Sequence, residues 1–145
     1  MYKHILIPTD GSPLSDNAVE HGLTLAAALG SRVTILTVTE PFHIFALNPA
    51  VLTDTAGEYH KHMETRAGQI LSQASAMAKA HGVAATLEHV EDPHPSEAII
   101  RAAGKAGCDV IVMASHGRRG ASAVLLGSET MRVLTSSKIP VIVCR

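Results

Sequence analysis

Two stretches of the chain carry the residue types that phosphate chemistry needs. Ser115-His116-Gly117-Arg118-Arg119-Gly120 follows the apolar run Val110-Ile111-Val112-Met113 and leads to Gly127-Ser128, where a helical pattern takes over. Pro8-Thr9-Asp10-Gly11 follows a second apolar run, His4-Ile5-Leu6-Ile7. A buried strand that releases into glycines and hydroxyls just before a helix is a place where an anion can sit. Exposed backbone N–H groups and the positive end of the helix dipole both favour it there. Gly117 and Gly127 allow close backbone approach, Ser128 adds a hydroxyl donor, and Arg118 and Arg119 add positive charge. The plainer alternative is a glycine-rich turn with solvated arginines. Asp10, at the end of its strand, can help hold Mg²⁺ on a triphosphate or contact a base or ribose. Its plainer alternative is to shape the turn with Gly11.

Several other chemistries fail on spacing. Neither G-x-x-x-x-G-K-[ST] nor G-x-G-x-x-G occurs, which excludes ordinary P-loop and dinucleotide motifs. Met113-Ala114-Ser115-His116-Gly117 approaches a G-x-S-x-G nucleophile elbow but has Met113 in place of the first glycine. A hydrolase of that design also needs an acid and then a histidine after the serine. Beyond His116 there is no histidine, and Glu129 is the sole acid. Histidines are plentiful, yet His60 and His62 diverge on a helix, His60 shares a face only with Glu64, and His89 and His94 lie elsewhere. Three or four converging ligands cannot be assembled from these spacings, so no dedicated protein metal site is expected. Thr9, Ser115 and Ser128 could accept a phosphoryl group in slow self-phosphorylation, but no residue stands out as a tuned base. No catalytic residue is assigned.

Composition narrows the setting. The 145 residues suggest one domain, 1–145, with a real core. With 46% hydrophobic residues but only 3% aromatic ones, that core must be built of Ala, Val, Ile, Leu and Met. Twelve basic and 13 acidic residues leave a net charge of −1, so no global field attracts nucleic acid or anionic lipid, and neither partner is expected. No apolar run approaches membrane-spanning length. The segment MYKHILIPTDG enters a strand-like run directly, without a signal-peptide pattern. Two cysteines, Cys108 and Cys144, make no disulfide framework and are expected to be packing residues. A cytoplasmic protein is expected.

The elements that must position these residues follow from periodicity. His4–Ile7, Val33–Val38, Ala84–Val90, Asp109–Met113 and Pro140–Cys144 have strand character, the third being less apolar and suited to an edge. Ser12-Pro13 fits an N-cap with proline at the first helical position, and Gly30 a C-terminal stop. Helical spacing then recurs from Tyr59 to His81, from Ser96 to Ala106 before Gly107, and from Ala123 to about Ser136. Glu40 to about Thr55 is unusually apolar for a loop, with Phe42, Ile44, Phe45, Leu47, Val51 and Leu52; it is either a cover or contact surface or a flap packed on its own domain. The alternation β-α-β-α-β-α-β-α-β implies an α/β fold: an open five-stranded parallel sheet with helices on both faces and right-handed crossovers. Ligands bind such sheets beyond the carboxyl ends of the strands, where the strand order reverses. Strand order 3-2-1-4-5 brings the two equipped strand ends together.

The chain resembles the universal stress protein family from end to end. The resemblance rests on HILIPTDGS, VTILTVTE, HPSEAI and above all DVIVMASHGRRG…LLGSET running into PVIVCR. The nucleotide-binding branch carries G-x2-G-x9-G-[ST]; Gly117, Gly127 and Ser128 match, and the first position falls on Ala114. Alanine there is compatible with negative φ and not with positive φ. The resemblance implies an adenine nucleotide alpha hydrolase-like fold binding ATP, with Mg²⁺ carried on the nucleotide near Asp10. Pro8, Thr9 and Asp10 would line the adenine and ribose side, with Val38 touching adenine. Met113, Ala114, His116, Gly117 and Arg118 would wrap the ribose and first phosphates, and Gly127, Ser128 and Glu129 would close on the phosphates. It further implies a cytosolic homodimer pairing through strand 140–144, which would otherwise leave Val141-Ile142-Val143 as an apolar edge. The expected function is that of an ATP-binding, nucleotide-dependent stress-response regulator. The rivals are an interaction or chaperone-like dimer of the same fold that binds no nucleotide and contacts a client through Phe42–Leu52, which Ala114 favours and Gly117, Gly127 and Ser128 oppose, and a slow ATPase or autophosphorylating enzyme.

Overall fold

A computed structural model describes residues 1–42, 56–117 and 125–145. The elements run β1 (His4–Pro8), α1 (Pro13–Leu29), β2 (Arg32–Thr39), α2 (Ala56–Ala80), β3 (Ala85–Glu91), α3 (Pro95–Ala106), β4 (Val110–Ala114), α4 (Ser128–Ser136) and β5 (Val141–Cys144). The five strands form a parallel sheet in the order β3-β2-β1-β4-β5. β1 and β4 are central and adjacent, so their carboxyl ends open side by side.

β1, β4 and most of β2 are buried on both faces because their apolar residues alternate between two cores, while the edge strands β3 and β5 stay partly exposed. Ile5, Ile7, Val33, Ile35, Val110 and Val112 meet Ala18, Val19, Leu23 and Ala26 of α1 and Leu71, Ala74 and Ala78 of α2. Leu6, Leu36, Ile111 and Met113 meet Ile99, Ala102 and Ala103 of α3 and Val133 of α4. Small residues let the helices settle close to the sheet. A Cβ on Gly22 of α1 would run into Ile7 Cδ1 and stand 3.5 Å from Val112 Cγ1. Both cysteines are buried and free. Burial pushes the Cys108 thiol up to about 11 and raises Cys144 as well, so both behave as small core hydrophobes.

Local chemistry sets the element boundaries. Ser12 caps α1, its hydroxyl accepting the Ser15 N–H at 3.2 Å, and Pro13 follows. Gly30 and Gly107 close α1 and α3 in the left-handed conformation, at φ 67° and 71°. β4 starts at Val110 rather than Asp109, because Asp109 turns its carboxylate back to accept the N–H groups of Lys3 (2.9 Å) and His4 (3.1 Å). α2 starts three residues earlier than its apolar spacing suggests, at Ala56. The last helix is shorter than expected and starts at Ser128, not Ala123. Leu125–Gly127 is not helical, and residues 123 and 124 lie outside the described residues. Gly127 is extended (φ −63°, ψ 151°), with its N–H held by the Ser115 carbonyl at 2.8 Å, so the chain is tied to the end of β4 before it can coil.

Candidate functional site

At the end of β1, Pro8 and Thr9 are buried and Asp10 is half-buried. The Thr9 N–H continues the sheet to the Leu36 carbonyl at 2.8 Å. The Thr9 hydroxyl lies 2.9 Å from Ser15 Oγ. Asp10 Oδ1 accepts the Ser12 N–H and the Ser15 hydroxyl, each at 2.9 Å. The turn-shaping role of Asp10 is thus real, and it is anchored through Ser15, a buried hydroxyl on the first turn of α1. Asp10 also raises the pKa of its neighbour Asp16, second to the effect of burial. Ser15 was absent from the sequence-derived site. Its signal was its place three residues after the N-cap serine, the spacing of a capping box.

The end of β4 is tied down from several sides. The Ser115 N–H donates to the Cys144 carbonyl at 2.7 Å, and the Thr130 hydroxyl donates to the Ala114 carbonyl at 2.9 Å. Ala114 is a paired strand residue opposite Cys144. Among the described residues Tyr2 is the one non-glycine at positive φ, so alanine is free of backbone strain at position 114. The two glycines that follow are needed for space rather than for φ. A Cβ on Gly117 would stand 2.7 Å from Asp10 Oδ2. A Cβ on Gly127 would stand 2.8 Å from His116 Cβ, 2.9 Å from His116 Cα and 3.2 Å from the Ser115 carbonyl oxygen. Real Cβ atoms do not come as close to backbone as 2.9 Å from His116 Cα, whereas at Gly117 the neighbour is the end of the Asp10 side chain. Missing side chains therefore draw three segments together: the β1–α1 turn, the β4 end and the α4 start.

The remaining candidates divide. Gly127 is the N-cap of α4, with no capping side chain, and Ser128 and Glu129 are its first helical residues. Their N–H groups belong to the set that an α-helix leaves without intrahelical partners. The Glu129 carboxylate is engaged elsewhere: Oε2 accepts the Ser96 N–H at the start of α3 (2.8 Å), and Oε1 accepts Arg132 (2.7 Å). Met113 and Val38 sit in or against the α3–α4 core. His116 is half-buried, its Nδ1 3.3 Å from the Ser115 hydroxyl. Arg118 and Arg119 lie outside the described residues, as do residues 43–55 of the apolar segment; Phe42 packs on Tyr59, with ring centroids 5.5 Å apart. His60 lies 3.1 Å from Glu64 and 3.4 Å from Glu91. Among the described residues no group of three or more His, Cys, Asp or Glu could hold a metal ion.

Beside Gly117 opens a cleft of about 600 Å³, lined by Gly11, Ser12, Pro13 and Leu14, by His116 and Gly117, and by Arg66 of α2. Arg66 was not among the sequence-derived candidates. It lies on the half-buried margin of the stripe formed by Tyr59, Met63, Ile70 and Ala74, where an arginine is unremarkable until the fold places it against another loop.

A profile of the universal stress protein family matches residues 1–145. The chain is similar to universal stress protein MJ0531 of Methanocaldococcus jannaschii, with 30% identity over 148 residues covering 100% of this chain and 83% of the relative. It is also similar in structure to protein MJ0577 of that organism, at a TM-score of 0.82 with 28% identity, covering 99% of this chain and 96% of the other. A universal stress protein solved in complex with cAMP superposes with a TM-score of 0.73 at 25% identity, covering 99% and 97% of the two chains. With a match over its whole length and a sheet of the same architecture, the chain belongs to the universal stress protein family.

Proposed function

We propose that this universal stress protein is an ATP-binding, nucleotide-dependent regulator rather than an enzyme. The observation that carries the reading is the double close approach, Gly117 to Asp10 and Gly127 to His116. It leaves a carboxylate, a bare loop and uncapped helix N–H groups around one opening, which are the parts an adenine nucleotide needs for ribose and phosphates. A similar protein solved with cAMP supports an adenine ligand. Ala114 does not argue against it, since its backbone is an ordinary strand. Mg²⁺ would arrive on the phosphates, with Asp10 the carboxylate beside Gly117; such ions keep most of their water and take one or two protein carboxylates. In this reading Pro8, Thr9 and Val38 flank the base, Met113 and Ala114 lie under the ribose, and Ser128 and Glu129 give N–H groups to phosphate. Arg118 adds charge from the adjoining loop.

The regulator reading also rests on what the hydroxyls do. Thr9 and Ser115 are buried and hydrogen-bonded, and the one imidazole near Ser115 is at the long distance of 3.3 Å. We further propose a homodimer through the β5 edge. Ile142 of β5 and Met131 and Leu134 of α4 are 36%, 48% and 39% exposed, an apolar margin on a terminal strand of the sheet. A cytoplasmic location fits this picture. Among the described residues no helix is long and apolar enough to cross a membrane. A thermal-shift panel of ATP, AMP, cAMP and adenosine, each with Mg²⁺, tests the ligand class. A ligand at a hundred times its Kd stabilises the fold by about 2.7 kcal/mol, a readily measured shift. A flat response to every adenine compound would reject the reading.

A further inference from the structure

We propose that Arg66 is a ligand-binding residue of this site and that its guanidinium takes phosphate oxygens of the bound nucleotide, selecting ATP over AMP. The inference rests on the nucleotide reading and extends the site from the β4–α4 side to a wall formed by α1 and α2.

Arg66 lines the cleft together with the β1–α1 turn and the end of β4. Among the described lining residues there is no carboxylate and Arg66 brings a full positive charge, while the Asp10 carboxylate stands at the edge beside Gly117. The start of α1, with its dipole, forms the opposite side. Arg66 is half-buried, yet it has no ion-pair or hydrogen-bond partner among the described residues. Two more exposed arginines are both paired: Arg101 with Asp92 at 3.0 Å and Arg132 with Glu129 at 2.7 Å. A partly desolvated guanidinium with five donors is costly to leave unmatched, and a phosphate matches its planar fork with two parallel bonds. The Asp10 carboxylate is fastened to the β1–α1 turn, its Oδ1 accepting from Ser12 and Ser15.

The cleft lining includes Gly117 but neither Gly127 nor Ser128. A ligand that touches both the α4 N-terminus and Arg66 must therefore pass Gly117. A triphosphate is longer than a monophosphate along that path, which gives the direction of the selectivity.

The test is calorimetric titration of ATP, AMP and adenosine into the wild type, Arg66→Gln and Arg66→Lys, with melting temperatures recorded for all three proteins. Loss of a hydrogen-bonded charge should weaken ATP about 10- to 100-fold in Arg66→Gln, with adenosine unchanged within about twofold and the ATP-to-AMP ratio reduced. Arg66→Lys should recover part of the ATP affinity, because it keeps the charge but loses the fork. ATP affinity unaltered in Arg66→Gln, or ATP and adenosine weakened equally, would overturn the assignment while leaving the nucleotide site intact. A wild type that binds adenosine but not ATP would overturn the phosphate selectivity alone, and one that binds no adenine compound would overturn both.

Discussion

Gly127→Ala puts the packing that forms the site under direct stress. Its added methyl would meet His116 Cβ at 2.8 Å and His116 Cα at 2.9 Å, with the Ser115 carbonyl oxygen at 3.2 Å. Comfortable carbon–carbon contact begins at about 3.5 Å, so roughly 0.6 Å of movement is required. Two of the obstructing atoms, His116 Cα and the Ser115 carbonyl oxygen, are backbone and cannot rotate away, so either the start of α4 or the end of β4 must translate. The Gly127 N–H bond to Ser115, 2.8 Å long, lies across that gap and stretches with it. Overpacking of this kind costs about 1–3 kcal/mol. The extended backbone at 127 suits alanine, which returns about 0.4–1 kcal/mol through the unfolded chain. The net loss is about 0.5–2 kcal/mol, or roughly 1–8 °C in Tm for a chain of this size. Gly104→Ala is the control: this exposed α3 glycine has nothing within 4 Å of its Cβ position and should gain about 0.5–1 kcal/mol. Scanning calorimetry of both variants, with ATP titrated into each, reads the two effects. ATP affinity should fall about tenfold or more in Gly127→Ala alone, since displaced N–H groups lose charge-assisted bonds to phosphate. Equal melting temperatures and equal affinities for the two variants would refute the packing argument.

Gly22→Ala should destabilise by about 1–3 kcal/mol in chemical denaturation, and combining it with Ile7→Val, which removes the obstructing Cδ1, should cost less than the sum of the single changes; strict additivity would count against the close α1–β1 contact. Burial, and then the Arg32 charge, hold the His4 pKa below its usual value, so the unfolded chain takes the proton first as pH falls. Stability from this group is complete above about pH 6.5 and is lost on acidification toward the lowered folded pKa; His4→Gln should flatten the Tm-against-pH curve in that window, and parallel curves would reject the assignment. Ile142→Asp on the β5 edge should convert a dimer to a monomer in analytical ultracentrifugation with the fold retained by circular dichroism, whereas an unchanged sedimentation coefficient would place the interface elsewhere.

The fold was legible because its signals are local and repeat. Apolar runs such as Ile5-Leu6-Ile7 and Val110-Ile111-Val112 identify strands buried on both faces, and Ser12-Pro13, Gly30 and Gly107 mark helix ends by capping chemistry that needs no tertiary context. The strand order followed from asking which two strand ends carried polar equipment, and the sheet places β1 beside β4. The site was legible in its glycines but not in their reason. Gly117 and Gly127 serve close approach, to Asp10 and to His116, and the partners of such contacts are invisible along the chain. The start of α4 was misplaced for the same cause: apolar spacing continues through Ala123–Leu126, but the Gly127 N–H is claimed by Ser115. Thr130 acts on the Ala114 carbonyl, 16 residues away, and Arg66 reaches the cleft beside Gly11–Leu14 only through the fold, whereas Ser15 works locally on Thr9, Asp10 and Ser12. Glu129 illustrates the converse, a residue found by motif whose carboxylate supports α3 instead of facing the opening.

The nucleotide reading meets its most direct test in calorimetric titration of ATP with Mg²⁺ into protein freed of co-purified ligand by unfolding and refolding. A saturable isotherm with one nucleotide per chain, a Kd in roughly the micromolar to sub-millimolar range (about −8 to −5 kcal/mol), and loss of that isotherm in Gly127→Val is the expected result. Absence of heat at millimolar ATP, from a protein shown to be folded, would contradict it.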